Sequence, residues 1–345
     1  MLTLFRLSTM SDQVLGCASQ CIFENKVKKG NREYFTNIAL KINHKLLQGA
    51  NSALRPEDLG PIAERPTMCI GADVSHANPG SMAPSVAALV GSMDDRATLY
   101  STAISIQTSR LEIMSKLEEM VVKLLDKFLE KNCIPPERIL FFRDGISEGQ
   151  FGQVMQTEVF ACRLAAKRFA AKHGKENYNP ELTFICCGKR HHLSFFPKSA
   201  QDADARTGNV KSGTCIDTTI TSPFHFDWYQ QAHASLLGTG RSAHYTVLVD
   251  DAGFTADQLQ QLVFNLCFTY ARATRAVSVV TPAFYASRLC TRAQLLLKRE
   301  DDDSTTVVSS ASGSSGERIR EAALAEYNAR LKDIHPAQDT RLFWM

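Results

Sequence analysis

Short apolar runs alternate with longer amphipathic stretches along most of this chain. The runs 68–70 and 139–142 are short and end at glycine or charged positions, which is typical of buried strands. Between them, residues 110–131 repeat leucine, methionine and valine at helical spacing and predict an amphipathic helix. The pattern predicts strands at 68–73, 84–92, 97–106, 138–142, 182–187, 226–229 and 244–249. It predicts helices at 11–22, 33–49, 110–131, 153–173, 256–274, 282–294 and 317–332, and hence an α/β fold.

Four further stretches suggest how the chain is organised. Residues 55–66 carry three prolines and a glycine and predict a connector. Residues 1–54 hold too few elements for a complete domain. The segment 298–316 is acidic, then rich in serine and glycine, and is predicted to be disordered. The apolar end, residues 342–345, is expected to dock against the core.

Composition narrows the functional class only slightly. The chain has 345 residues, of which 44% are hydrophobic, so it can bury a full core. A net charge of +3 is too small to indicate a nucleic-acid partner by itself. The ten cysteines show neither CxxC pairs nor a zinc pattern, which favours free thiols in a reducing compartment. Without an apolar run of membrane length or a secretion signal, we expect a soluble, intracellular protein with no membrane partner.

Two predicted strands end in a carboxylate. Asp73 follows Gly71-Ala72, and Asp144 stands directly before Gly145. Each could simply cap a helix in a loop. However, the order strand, two strands, helix, strand is how an RNase H-like sheet begins, and pairing would place both carboxylates side by side. Close like charges repel, so such a pair favours hard cations, Mg²⁺ or Mn²⁺, in a two-metal site. Glu112 is predicted to lie in the first turn of the helix at 110–131, where a negative charge is favourable in any case.

Cationic side chains group at two other places. Lys41 and Lys45 lie one helical turn apart, with Gln20 upstream, and form either a solvated basic face or a phosphate site. Lys189 and Arg190 end a predicted strand and are followed by two histidines. That group is either a solvated turn or a grip on a phosphate backbone.

Three strings in this order resemble the PIWI domain of eukaryotic Argonaute proteins. They are residues 71–76 (GADVSH), 142–151 (FRDGISEGQF) and 189–192 (KRHH). The resemblance implies an RNase H-like PIWI domain at 67–345, with a mixed sheet flanked by helices. It also implies that residues 1–54 are the C-terminal part of a Rossmann-like MID domain, joined by a linker at 55–66. The chain is therefore expected to be a fragment.

The resemblance also implies roles for individual residues. Asp73, Glu112 and Asp144 match three metal-binding carboxylates, and Ser287 stands at the fourth catalytic position, where a neutral hydroxyl is a poor ligand. Gln20, Lys41, Lys45 and Arg292 match residues that bind the 5′-phosphate of the guide. The residues that match positions along the guide backbone are Lys189, Arg190, His233, Thr239, Arg241, Arg272, Ser278 and Phe284.

The expected function is small-RNA-guided RNA binding and gene silencing, with divalent-metal-dependent cleavage of the guide-paired RNA. Because of Ser287, the alternative is a silencing module that binds guide RNA without cutting. A nuclease of the wider RNase H group without a guide is disfavoured, since it needs no 5′-phosphate pocket. The expected partners are a guide RNA, its target RNA and proteins of a silencing complex. The cytoplasm is the expected location, with the nucleus as the alternative.

Overall fold

A single mixed sheet of eight strands organises the computed structural model, which describes residues 7–47, 49, 51, 54–78, 83–297, 324–329 and 331–345. The strands are β1 (Thr67–Ser75), β2 (Ser85–Ser92), β3 (Tyr100–Gln107), β4 (Arg138–Asp144), β5 (Glu181–Gly188), β6 (Thr214–Ile216), β7 (Phe226–Gln231) and β8 (Ala243–Asp250). Their order in the sheet is β3-β2-β1-β4-β5-β8-β7-β6.

The direction of the central strands decides where functional side chains can meet. Strand β1 pairs antiparallel with β2 and parallel with β4, and β4 pairs parallel with β5. Strand β8 returns antiparallel to β5. The carboxyl ends of β1, β4 and β5 therefore share one edge, where α/β sheets place their ligands. This mixed sheet with helices on both faces confirms the predicted RNase H-like fold class.

The helices lie before the sheet and on its two faces. They are α1 (Glu24–Lys28), α2 (Arg32–Leu47), α3 (Pro61–Glu64), α4 (Leu117–Asn132), α5 (Phe151–Val154), α6 (Phe160–His173), α7 (Ala256–Leu266) and α8 (Thr281–Leu297). Single π-helical turns span Met10–Val14 and Met155–Val159, and short 3₁₀ turns span Pro56–Leu59, Glu148–Gln150 and Pro336–Gln338.

Each face of the sheet has its own core. Helices α4 and α6 pack on one face with Met68, Ile70 and Phe141. Helices α7 and α8 pack on the other with Cys69 and Phe142, together with the C-terminal residues 342–345. The docked C-terminus was predicted correctly. No helix within the described ranges is both long enough and apolar enough to pass through a membrane.

Three predicted helices differ from the observed ones. Helix α4 begins at Leu117 and not at residue 110, because the Gln107 side chain bonds the carbonyls of Leu111 and Ile113 and holds that stretch as a loop. The helical turn near residue 11 stops at Gly16, whose φ of +62° is left-handed, so the prediction for 11–22 was wrong beyond the first turn. Helix α7 ends at Leu266.

Some predictions fall outside what the structure tests. The segment 298–316 lies outside the described residues, as does part of the helix predicted at 317–332, where 324–329 are helical. Residues 7–47 precede the sheet and do not join it. Their assignment to a MID domain, and the boundaries at 54 and 67, stay predictions.

Candidate nucleic-acid interface

Asp73 and Asp144 lie at the carboxyl ends of neighbouring parallel strands, Asp144 as the last residue of β4 and Asp73 two residues before the end of β1. The register pairs Ala72 with Arg143, so the two carboxylates lie next to each other at the sheet edge. Because side chains alternate along a strand, Asp73 shares a face with Gly71, which packs against α8. A Cβ at Gly71 would lie 2.0 Å from the Pro282 backbone, so only glycine lets α8 approach this closely. The sequence therefore places both carboxylates on the face that α8 covers.

Glu112 reaches the same place from the loop before α4. A Cβ on Gly145 would lie 3.4 Å from Glu112 Oε1 and 3.7 Å from Asp73 Oδ1. The carboxylates of Glu112 and Asp73 therefore both lie beside Gly145. Its φ of +90° also requires glycine. The prediction that Glu112 lies in the first helical turn was wrong, but the loop still brings it to the Asp73 edge.

Two side chains that the sequence did not single out fix Glu112. His76 Nε2 lies 2.8 Å from Glu112 Oε2, while its Nδ1 lies 2.7 Å from Ser85 Oγ. Arg143 donates to the Glu112 backbone oxygen at 2.6 Å and approaches Oε1 at 3.4 Å. Glu112 is thus held from both sides toward the acidic edge.

Arg143 owes its position to a fully buried ion pair. Its Nε lies 3.0 Å from Glu158 Oε2, and neither side chain has any exposed surface. Glu158 lies in the π-helical turn Met155–Val159, and its Oε1 accepts a bond from the Met114 backbone N–H. A π turn inside a helix shifts a side chain from its regular position, and such turns are frequent at functional sites. The pair therefore links α5–α6, the Glu112 loop and the end of β4.

Arg143→Met should lower the free energy of unfolding by about 3–5 kcal/mol, because it leaves Glu158 buried and unpaired. Denaturant unfolding measures this loss. Arg163→Met is the matched control, since its pair with Asp251 is partly exposed and should contribute about 0–1 kcal/mol. Adding Glu158→Leu to Arg143→Met should restore part of the loss. A loss no larger than that of Arg163→Met would contradict the role of the buried pair.

The electrostatics of the acidic pair favour a bound cation. Burial, and then the charge of Asp144, raises the pKa of Asp73 to about 7. Burial also raises the pKa of Asp144, although the Gly145 N–H, Arg143 and Arg190 lower it in part. Ionising both carboxylates therefore costs free energy unless a bound cation adds positive charge to that of Arg143 and Arg190.

Ser287, on α8, faces this pair. Its hydroxyl lies close enough to the Asp73 carboxylate to lower the pKa of Asp73 in part. The four catalytic candidates predicted from sequence therefore meet at one edge. Within the ranges that the structure describes, no three His, Cys, Asp or Glu side chains already have a geometry that would hold a metal ion.

A second, basic cluster forms where α2 meets α8. Lys45 is only 4% exposed, and its Nζ donates to Ser19 O at 3.0 Å. Burial, followed by the charge of Arg292, lowers the pKa of Lys45 to about 7, and Lys41 and Arg272 add to this effect. Burial also lowers the pKa of Lys41, with Arg272 as the next cause. Lys41, Arg272 and Arg292 are therefore all close enough to Lys45 to repel its charge, which makes a site that an anion would relieve.

Gln20 and Arg292 have partners of their own in this cluster. Gln20 Nε2 donates to Cys21 O at 2.8 Å, so in this conformation its amide donor is turned to the backbone. Arg292 contacts Asp12 Oδ2 through Nε at 2.8 Å and through Nη2 at 2.7 Å. Asp12 was not a candidate from sequence, because a lone aspartate in a predicted helix gives no sign of its partner 280 residues away.

A third group lies beside the acidic pair, at the end of β5. Burial and then Arg241 lower the pKa of Lys189, which also feels the charge of Asp144. Burial and then Lys189 lower the pKa of His233 to about 4, so this ring is neutral at pH 7. Lys189, Arg190 and Arg241 form a basic rim next to the carboxylates, and the neutral His233 ring lies beside Lys189.

The remaining backbone candidates lie elsewhere around the site. Thr239 is exposed in the turn that leads into β8. Arg272 lies with Lys41 and Lys45. Phe284 packs edge-on against Tyr270 at 5.0 Å, with the Arg288 guanidinium 4.8 Å from its ring centre, and Ser278 is partly buried just before α8.

Comparison with known proteins gives one consistent family. A family model described as the Piwi domain matches residues 5–298. The chain is 30% identical to the Argonaute of Kluyveromyces polysporus, solved with a guide RNA, with a TM-score of 0.85 over 99% of this chain and 40% of that one. It matches the C-terminal lobe of a budding yeast Argonaute with the same identity and TM-score, over 99% of this chain and 67% of that one. The MID-PIWI domains of N. crassa QDE-2 share the fold, with 23% identity and a TM-score of 0.61 over 100% of this chain and 76% of that one.

Proposed function

This chain belongs to the Piwi-domain family, and we propose that it binds a small guide RNA by its 5′-phosphate and holds the RNA paired to that guide, in the service of gene silencing. The observation that carries the proposal is the basic cluster of Lys41, Lys45, Arg272 and Arg292. Lys45 is 4% exposed among three further cations, and Asp12, already paired with Arg292, offsets their charge only in part, since the pKa of Lys45 is still lowered to about 7. A further anion would therefore relieve the site. A terminal phosphate fits, because its charge and its three terminal oxygens can serve several donors at once.

The basic rim supplies the grip along the RNA backbone. Lys189, Arg190 and Arg241 are suited to phosphate oxygens, and such contacts position a strand without reading its sequence. Base pairing between guide and target would then select the sequence, as in other guided systems. Silencing-complex proteins are the further proposed partners. The cytoplasm stays the expected location, with the nucleus as the alternative.

The acidic edge is the proposed place for Mg²⁺ or Mn²⁺. Asp73, Glu112 and Asp144 offer the oxygen ligands these ions prefer, and the raised pKa of Asp73 fits a pair that a cation would relieve. When bound, such ions neutralise charge on a reacting phosphodiester. The chain's own residues orient the ligands: His76 and Arg143 hold Glu112, and the Ser287 hydroxyl lies near Asp73. With a neutral hydroxyl at the fourth position, we propose guide and target binding with little cleavage.

Proton uptake tests the phosphate site. The empty site keeps the pKa of Lys45 near 7, so at pH 8 this amine is mostly neutral. A bound phosphate dianion raises that pKa, so binding at pH 8 should take up close to one proton, about the full titration of one amine. Affinity for 5′-phosphorylated RNA should therefore fall as the pH rises above 7. Calorimetry in two buffers of different ionisation enthalpy measures the uptake.

The control ligand is the same RNA with a 5′-hydroxyl. It should bind without this proton uptake, since it brings no dianion to Lys45. Equal uptake with both RNAs would show that Lys45 does not receive the 5′-phosphate.

A further inference from the structure

Asp12 is a buried carboxylate at the edge of the proposed phosphate site. Its side chain is 2% exposed, and its Oδ2 accepts a hydrogen bond from Arg292 Nε at 2.8 Å and lies 2.7 Å from Nη2 in the same ion pair. Its charge also raises the pKa of Lys45, which shows that it lies within electrostatic reach of that amine. An anion this close to a site for phosphate is unexpected, because it should repel the ligand.

The C-terminal part of the chain holds Asp12 in place. The His335 N–H donates to Asp12 O at 2.9 Å, and Gln338 Nε2 donates to Ser11 O at 3.2 Å. Gly16, with φ of +62°, lets the chain turn where a Cβ would lie 2.2 Å from the His335 ring. The π-helical turn that carries Asp12 is therefore fixed against the segment that precedes the C-terminus.

The contact uses only one edge of the Arg292 guanidinium. Nε donates to Asp12 Oδ2 and Nη2 lies 2.7 Å from the same oxygen, whereas Nη1 has no hydrogen bond to any residue that the structure describes. A guanidinium is planar and presents its donors in a fixed fork. Fixing one edge therefore fixes the direction in which the remaining donors point.

We propose that Asp12 is a positioning residue for 5′-phosphate binding: it clamps one edge of Arg292 so that the other edge is presented to the phosphate beside Lys45. This role rests on the proposed function, since it requires that the basic cluster receives a phosphate. A clamp and a purely electrostatic role have opposite effects on the affinity for phosphate. As a nearby negative charge alone, Asp12 would weaken phosphate binding, whereas as a clamp it strengthens selective binding.

Two neutral variants separate orientation from charge. Asp12→Asn keeps a side-chain oxygen that can accept from Arg292 Nε, whereas Asp12→Ala removes the acceptor, and both remove the same charge. Selectivity is measured as the ratio of Kd for 5′-hydroxyl RNA to Kd for 5′-phosphorylated RNA of the same sequence. We expect the selectivity of Asp12→Ala to be about tenfold lower than that of Asp12→Asn. Equal selectivity in the two variants would mean that only charge matters and would overturn the proposal.

A double-variant cycle tests whether the effect passes through Arg292. In an Arg292→Ala background, Asp12→Ala and Asp12→Asn should show the same selectivity, because there is no guanidinium left to orient. A tenfold difference that persists without Arg292 would also overturn the proposal. Circular dichroism of the RNA-free variants checks folding. If Asp12→Ala does not fold, Asp12→Ser takes its place, because its hydroxyl is too short to reach the guanidinium from the same backbone.

The wild-type protein and Lys45→Ala separate this inference from the function it rests on. If the wild type shows no preference for 5′-phosphorylated RNA, the proposed phosphate site is wrong. If the wild type prefers it, Lys45→Ala loses the preference, and the two Asp12 variants are alike, the phosphate site stands and the positioning role alone is wrong.

Discussion

Replacing Ser287 by aspartate should raise Mg²⁺-dependent cleavage of a guide-paired RNA by about two orders of magnitude, which corresponds to about 3 kcal/mol of transition-state stabilisation. Ser287 already faces Asp73 and offers it only a hydroxyl donor. A fourth carboxylate adds a charged oxygen ligand at the same edge as Asp73, Glu112 and Asp144. Binding of Mn²⁺, followed by calorimetry or by its paramagnetic signal, should tighten in parallel, because hard cations prefer carboxylate oxygens.

The comparison needs equal guide loading and two controls. Asp144→Ala in the Ser287→Asp background should abolish the gain, since it removes a carboxylate from the edge. Ser287→Asn, similar in size and neutral, should not reproduce it. Efficient cleavage by the wild-type protein, lost on Asp144→Ala, would contradict the conclusion that the fourth position limits this chain.

Lys45→Ala should weaken the binding of 5′-phosphorylated RNA about 10- to 100-fold, which is what the loss of a charge-assisted hydrogen bond of about 1.5–3 kcal/mol implies. Lys45 is the most buried of the four cations, and solvent therefore screens its contact with a phosphate least. The affinity for 5′-hydroxyl RNA should change little. Competition between the two RNAs for the same protein, read by fluorescence anisotropy, measures the difference.

Lys28→Ala is the matched control. It also removes one lysine from the helical segment before the sheet, but Lys28 is 70% exposed and pairs with Glu24. Its removal should weaken both RNAs slightly and equally, as expected for the loss of a distant, screened charge. If Lys45→Ala behaved in the same way, Lys45 would not be a 5′-phosphate ligand.

The sheet and its functional edge follow from local pattern. Apolar runs of strand length set β1 and β4, and the alternation of side chains along them places Asp73 and Asp144 on one face. The starting points of helices were less accurate. The stretch 110–116 has helical spacing, but the Gln107 side chain and Glu158 bond its backbone and keep it a loop. These hydrogen bonds come from residues outside the stretch 110–116. The spacing of hydrophobic positions within the stretch therefore does not reveal them.

The residues that orient the site were also beyond the reach of sequence pattern. Arg143 stands inside the conspicuous string at 142–151, yet its role depends on Glu158 being shifted by a π turn. Asp12 meets Arg292 across 280 residues, and the C-terminal segment packs on the turn at Met10–Val14 that carries Asp12. Arg272, predicted among the backbone contacts, lies near Lys41 and Lys45. Ion pairs of this kind join residues that have no fixed spacing in the sequence, so a sequence motif does not reveal them.

The central claim is that the basic cluster around Lys45 receives the 5′-phosphate of an RNA. The most direct test is to titrate the wild-type protein with one RNA sequence carrying either a 5′-phosphate or a 5′-hydroxyl, at pH 7 and fixed salt. We expect the phosphorylated RNA to bind at least about tenfold more tightly, as one or more charge-assisted contacts require. Equal affinities for the two RNAs would contradict it.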